Sequence, residues 1–199
     1  VTNPFSNYNI LVLDQQFNQN SSIALINTNV TRNGRFRDAN VSALTWHLET
    51  KKSKYYADGS FKLSAISDDV NHPNTGYTFD NSLGYNAGHW NWEVGYNLRN
   101  KDFNPNDLGI LFSNNQQSIY GNIGWRTLQP TKNFNSYRFG LYNQARFQHY
   151  SGIYTGNNAG INFSAQTKTR FTFGSNLNYG SENKDFFEPR QGTTSGIYF

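Results

Sequence analysis

Few residues in this chain could do chemistry, and they are scattered. The four histidines, His47, His72, His89 and His149, fall in different segments, and none has a second ligand at metal spacing. Cysteine is absent, which excludes disulfides and thiolate metal sites together. The chain has no HExxH, no phosphate-binding glycine loop and no GxSxG. Ser, His and Asp occur, but a chain of this size supplies them by chance. No catalytic residue, no metal site and no cofactor is expected, so the reading is non-enzymatic.

One loop presents oxygen side chains at alternate positions: Asp102, Asn104, Asn106 and Asp107 around Pro105, ending at Gly109. Such spacing could ligate Ca²⁺, but no bidentate glutamate follows it. The preferred reading is a cluster of Asx- and Pro-turns that orders a surface loop. A second set of charges alternates with apolar neighbours along strand-like segments: Arg126, Arg138, Arg146, Lys168 and Arg170, with Asp58, Asp80 and Glu93 on the same side. Pointing inward, these form either a path favouring anions, as charged rings do in pores, or an ion-pair network that plugs a narrow lumen. The network is preferred, because inward charge is needed in either case.

The elements that carry these charges follow from a period of two. Trp90, Trp92, Val94, Tyr96 and Leu98 alternate with Asn91, Glu93, Gly95, Asn97 and Arg99. Successive strand side chains point to opposite faces, so one face wants an apolar medium and the other wants water. Tyr77, Phe79, Leu83, Tyr85 and Ala87 repeat the pattern, as do Phe171, Phe173, Leu177 and Tyr179. About ten strands can be read as an up-and-down meander. The first two, near residues 8–16 and 22–30, are the least regular, and the third, 39–49, slips around Leu44 and Trp46. The tenth is read from Thr169 to Gly180. Short connections alternate with longer ones rich in Asn, Gly, Asp and Pro, the arrangement of bacterial barrels. Trp92, Val94, Tyr96, Phe139, Phe171 and Phe173 are expected to face lipid, with Tyr77, Phe79, Leu83, Leu141 and Phe163.

Composition agrees. The 199 residues are 17% aromatic and 36% hydrophobic, with a mean hydropathy of −0.75. No apolar stretch reaches the roughly 18 residues of a spanning helix, but a barrel needs only alternate residues to face lipid. Disorder would not carry this many aromatic residues. The net charge is +4, yet Lys and Arg are spread along the chain. The densest cluster, Lys51, Lys52 and Lys54, sits in an expected turn, so no nucleic-acid partner is expected.

Three segments carry a resemblance: "GYNLRNKDFNPNDLGIL" beginning at Gly95, "DFFEPRQG" over Asp185 to Gly192, and "NYNILVLDQQF" over Asn7 to Phe17. They resemble a Bacteroidota barrel family of unknown function. Its members pair an N-terminal domain like carbohydrate-binding module family nine with a large C-terminal barrel. The resemblance implies an outer-membrane location, a portion missing before Val1, and no catalytic residues to carry over.

The expectation is therefore an all-β, antiparallel up-and-down transmembrane β-barrel, or a large part of one, over residues 1–199. It would lie in the outer membrane of a Gram-negative cell and act in passage, anchoring or complex assembly. Its partners would be outer-membrane lipid and other envelope proteins. The competing expectation is a soluble glycan-binding β-sandwich or fibre-like domain, in which the tryptophan face would meet a second sheet.

Overall fold

A computed structural model of the chain describes residues 4–34, 36–67, 73–109, 111, 113–181, 184–185 and 197–198. Ten strands make one sheet: β1 (Ser6–Phe17), β2 (Ser21–Arg32), β3 (Asp38–Glu49), β4 (Tyr55–Ser67), β5 (Asn74–Ala87), β6 (Trp90–Arg99), β7 (Gln116–Arg126), β8 (Phe134–Gln148), β9 (Tyr154–Thr167) and β10 (Thr172–Gly180). Their spatial order is their chain order, and every neighbouring pair is antiparallel. A separate two-stranded ladder joins β11 (Lys184–Asp185) to β12 (Ile197–Tyr198). No helix occurs among the described residues.

The tightest turn is Gly88-His89, where Gly88 adopts φ 66° at the first position of a two-residue hairpin. A side chain there would be strained, and glycine removes the strain. The tenth strand starts later than its alternation suggests, at Thr172. Residues 168–171 form a turn in which Arg170 takes φ 64° and the Thr167 amide donates to Phe171 O at 2.9 Å. Arg170 is thus a turn residue and not part of β10. The slip expected in β3 is not a slip. Its register with β4 runs unbroken from Asp38↔Ser67 to Glu49↔Tyr56, and Leu44, Trp46 and Leu48 share one face. The pattern weakens because Ala39, Val41 and Ala43, on the other face, are apolar too.

The expected barrel is not closed. A meander closes only when its first and last strands exchange hydrogen bonds. Here, among the described residues, β1 pairs with β2 alone and β10 with β9 alone. Almost all of β1 and every residue of β10 is exposed.

The two faces are inverted relative to a water-soluble sheet. On one face Leu83, Val94, Ile123, Ile161 and Leu177 stand 43–67% exposed. On the other, Ser60, Ser64, Thr78, Ser82 and Ser118 are buried. A flat single sheet would expose both faces alike, so this one curls around its polar side. Along the apolar face, rings gather towards the two ends of the strands. At the hairpin end Tyr55 lies 4.9 Å from Tyr85, Trp125 lies 5.1 Å from Tyr137, and Phe134 lies 6.4 Å from Phe173. At the loop end Phe147 and Tyr154 are 5.7 Å apart, and Tyr77 lies 6.5 Å from Phe61 in the middle of β4. Aliphatic pairs such as Leu83↔Val94 and Ile161↔Leu177 lie between.

The small core lies on the polar side at the loop end. Val30, Ala39 and Ile66 pack together with Leu108 against them. Leu108 comes from the long connection between β6 and β7, which folds over the sheet and buries Phe103. The Asn104 amide donates to Ser64 Oγ at 3.0 Å. A Cβ at Gly76 would fall 2.1 Å from the Phe103 nitrogen, so the close approach requires glycine.

Candidate functional site

The polar face is organised by rungs. A tyrosine lies flat across a glycine on the next strand and reaches a polar group one strand further. Tyr56 crosses Gly84, and its hydroxyl donates to Glu93 Oε2 at 2.7 Å. Tyr120 crosses Gly95 and meets Ser82 and Glu93. Tyr142 crosses Gly160 and donates to Asn178 Oδ1 at 3.0 Å. A Cβ at Gly84 would sit 2.1 Å from the Tyr56 ring, and one at Gly95 2.2 Å from the Tyr120 ring. Each rung spans three strands and fixes the curl of the sheet at that level.

The charged residues divide between the two ends. Arg126 and Arg138 are directly opposed across β7 and β8, a like-charge pairing that costs stability. They turn apart: Arg126 Nη2 donates to Asn86 Oδ1 at 2.9 Å, and Arg138 Nε to Ser164 Oγ at 2.8 Å. Arg146 stands at the other end of β8, so the three arginines do not make one ring. Asp80 accepts from Ser60 Oγ at 3.2 Å, lies 3.8 Å from Lys62 Nζ and faces Asn97. Asp58 lies 2.5 Å from His47 Nδ1. Arg170 is away from these, in its turn. On the opposite face stand Trp92, Val94, Tyr96, Phe139 and Phe173, and Phe171 stacks on Phe173 with centroids 6.1 Å apart.

The oxygen-rich loop is held by turns and an ion-pair clamp. Asn104 Oδ1 accepts from the Asn106 amide at 3.0 Å, and Asn106 Oδ1 from the Leu111 amide at 2.7 Å. Asp107 binds Arg32 Nη2 at 2.9 Å and Arg37 Nη2 at 2.5 Å. Its carboxylate thus faces two guanidinium groups, which would oppose a cation. Of the histidines, His89 Nδ1 donates to Arg126 O at 2.8 Å, and His149 lies near Tyr77 and Gln117. His72 lies outside the described residues.

Next to the loop, the polar face opens into a cavity of ≈ 690 Å³ spanning β5 to β9. Asp80 and Arg146 reach it, together with Arg99, Lys101 and Lys184. Sequence reasoning placed Arg99 on the polar side of β6 but gave it no role. Its parity with Glu93 and Asn97 was the available signal. Lys101 and Lys184 carry no such signal, since each reaches the cavity from outside the ten strands.

Across residues 1–199 the chain matches a family described as a domain of unknown function, DUF5916. The chain belongs to the DUF5916 family. Comparison with curated proteins and with solved structures finds no match to either. What can be said of this DUF5916 chain chemically therefore rests on its own side chains. Its polar face offers hydrogen-bonding amides and hydroxyls throughout, with Arg99 and Lys101 at the loop end. Among the described residues no three His, Asp or Glu side chains converge to hold a metal ion.

Proposed function

We propose that this sheet is the wall, or a large part of the wall, of an outer-membrane β-barrel of a Gram-negative bacterium, of the kind found in Bacteroidota. The carrying observation is the inversion of faces: large apolar side chains outside, buried serine and threonine within. Lipid is the solvent that makes such an exterior favourable. Aromatic side chains towards both ends of an aliphatic band suit the two interfaces of a bilayer. No second sheet lies on the tryptophan face among the described residues, which a β-sandwich would need. In lipid the free edges of β1 and β10 would leave backbone groups unpaired, so further strands must close the wall. The role is non-enzymatic: passage, anchoring or assembly of envelope proteins.

Nitroxide labels test this in reconstituted bilayers. At Val94 the label relaxes with oxygen and is shielded from a water-soluble nickel chelate; at Asn122, on the polar face, the chelate reaches it. Chelate access at Val94 equal to that at Asn122 overturns the membrane reading and favours a soluble sheet.

A further inference from the structure

We propose that the middle of the polar face, around Tyr120 and Tyr142, binds a neutral oligosaccharide. Such a ligand deepens the passage role by naming its cargo, but the binding itself needs only a polar face open to solvent, whatever meets the opposite face. A hollow of ≈ 320 Å³ lies there, and Asn97, Tyr120, Asn122, Tyr142 and Gln144 line it from β6, β7 and β8. That is the small end of the range for ligand sites. Both tyrosine rings rest on backbone: a Cβ at Gly95 would fall 2.2 Å from the Tyr120 ring, and one at Gly160 2.3 Å from the Tyr142 ring. One face of each ring is therefore covered by the neighbouring strand, and the other is turned to the inside of the curl. Tyr142 is tied through its hydroxyl to Asn178 and is still 39% exposed. Tyr142 stands opposite Asn122, and Tyr120 opposite Gln144. The two rings are thus diagonal neighbours, about 7–8 Å apart, and an amide flanks each. Rings already held in place lose little freedom when a ligand lies on them.

A sugar ring carries C–H groups on its faces and hydroxyls around its rim. The electron-rich face of a tyrosine suits the first. Primary amides suit the second, because they donate and accept as a hydroxyl does. Asn122 is exposed, so its amide faces water and can exchange it for a hydroxyl. Gln144 uses one donor on Ser118 Oγ at 3.3 Å, which fixes its direction. Among the described residues no charged side chain lines the hollow. Beside it, Glu93 stands opposite Asn122 and accepts from Tyr56, while Asp80 faces Asn97. Both carboxylates would repel an anion. Of the cations on β7 and β8, Arg126 is tied to Asn86, and Arg146 is partnered as well. An anionic ligand would therefore give up its hydration without gaining a counter-charge, whereas a neutral one needs none.

The full chain, refolded in micelles of a detergent without a sugar headgroup, tests this by saturation-transfer NMR with maltohexaose, cellohexaose and hexagalacturonate. Saturable binding of at least one neutral sugar is expected, with hexagalacturonate weaker. Tyr142→Ala removes a platform and should weaken binding about tenfold. Tyr142→Phe keeps the ring and should bind as the native chain does. Because Tyr142→Ala also breaks a rung, Asn122→Ala serves as the variant that leaves folding intact. Its urea midpoint should not move, as for other exposed positions, while binding weakens about threefold to tenfold, the loss of one hydrogen bond. No saturable binding of either neutral sugar overturns the proposal, and so does native affinity in Asn122→Ala. Hexagalacturonate bound as tightly as a neutral sugar overturns the neutral class. A loss in Tyr142→Phe equal to that in Tyr142→Ala overturns the stacking role. These outcomes are independent of the nitroxide result at Val94, so failure here leaves the membrane reading standing and the reverse holds too.

Discussion

Gly84 has neighbours that turn a single methyl group into a test. Its missing Cβ is where the Tyr56 ring lies, so Gly84→Ala must push the ring off its rung and away from Glu93. Overpacking of this kind costs about 1–3 kcal/mol, read as a lowered midpoint in urea unfolding followed by tryptophan fluorescence. An unchanged midpoint would mean the rung carries no strain. Asp107 makes the second residue-scale prediction. It is largely buried between Arg32 and Arg37, and Asp107→Asn removes the carboxylate charge that both guanidinium groups face. With Arg37 partly exposed, the cost should fall below that of a fully buried pair, at about 1–3 kcal/mol. Thermal unfolding in micelles measures it, and a loss equal to that of an exposed control such as Lys52→Gln would refute the clamp. Neither contact was legible beforehand. Tyr56 and Gly84 sit on adjacent strands, but which glycine a tyrosine covers depends on register. Asp107 meets Arg32 and Arg37 only because the long loop folds back over β2.

At the scale of the strand, much was legible. The period of two grouped residues of one parity onto one side of the sheet in β4 to β9, where mostly apolar and mostly polar side chains alternate, the inward Tyr56, Ile66, Tyr120 and Tyr142 apart. It failed in β3 because Ala39, Val41 and Ala43 are apolar on the inner face, where Ala39 joins the core, so both faces read as apolar. It misplaced Arg170 because alternation continues through a turn without marking it. The loop after β6 was read as surface, and Asn104 indeed makes an Asx-turn there, but the burial of Phe103 against Gly76 has no sequence period. The strand-scale prediction uses the best-assigned element. Val94→Arg in a bilayer should cost roughly 2–4 kcal/mol, since the charge must enter lipid or unfold the strand. Asn122→Arg, on the other face of the neighbouring strand, should stay within about 0.5 kcal/mol. Equal costs, measured by denaturant unfolding in liposomes, would remove the distinction between the faces.

For the whole molecule, the sequence pattern of an open and a closed meander is the same, so closure could not be read from alternation. The outcome is a sheet with two unprotected edges. Edges of this kind pair with other strands unless charged or covered. On β1, Ile10, Leu11, Val12 and Leu13 are each more than half exposed, on both faces. The isolated chain in micelles should therefore self-associate. Replacing Leu11 and Leu13 with lysine should shift its sedimentation profile towards a single smaller species. A profile that does not move would show that β1 is not the sticky edge. Function was the least legible property. The cavity at the loop end is lined from β5 to β9, the long loop and β11, and no short motif spans such distances.

The order of the sheet has a further consequence for how the protein comes to exist. Among the described residues each strand of the ten hydrogen-bonds only to its predecessor and successor in the chain, so within this sheet no segment must wait for a distant one before it can pair. Closing short hairpins costs little entropy compared with joining remote segments. The sheet can thus grow as it emerges, one hairpin zipped onto the last. The same logic lets an ancestral gene widen or narrow it by copying or losing a hairpin, with no rewiring of the strands that remain.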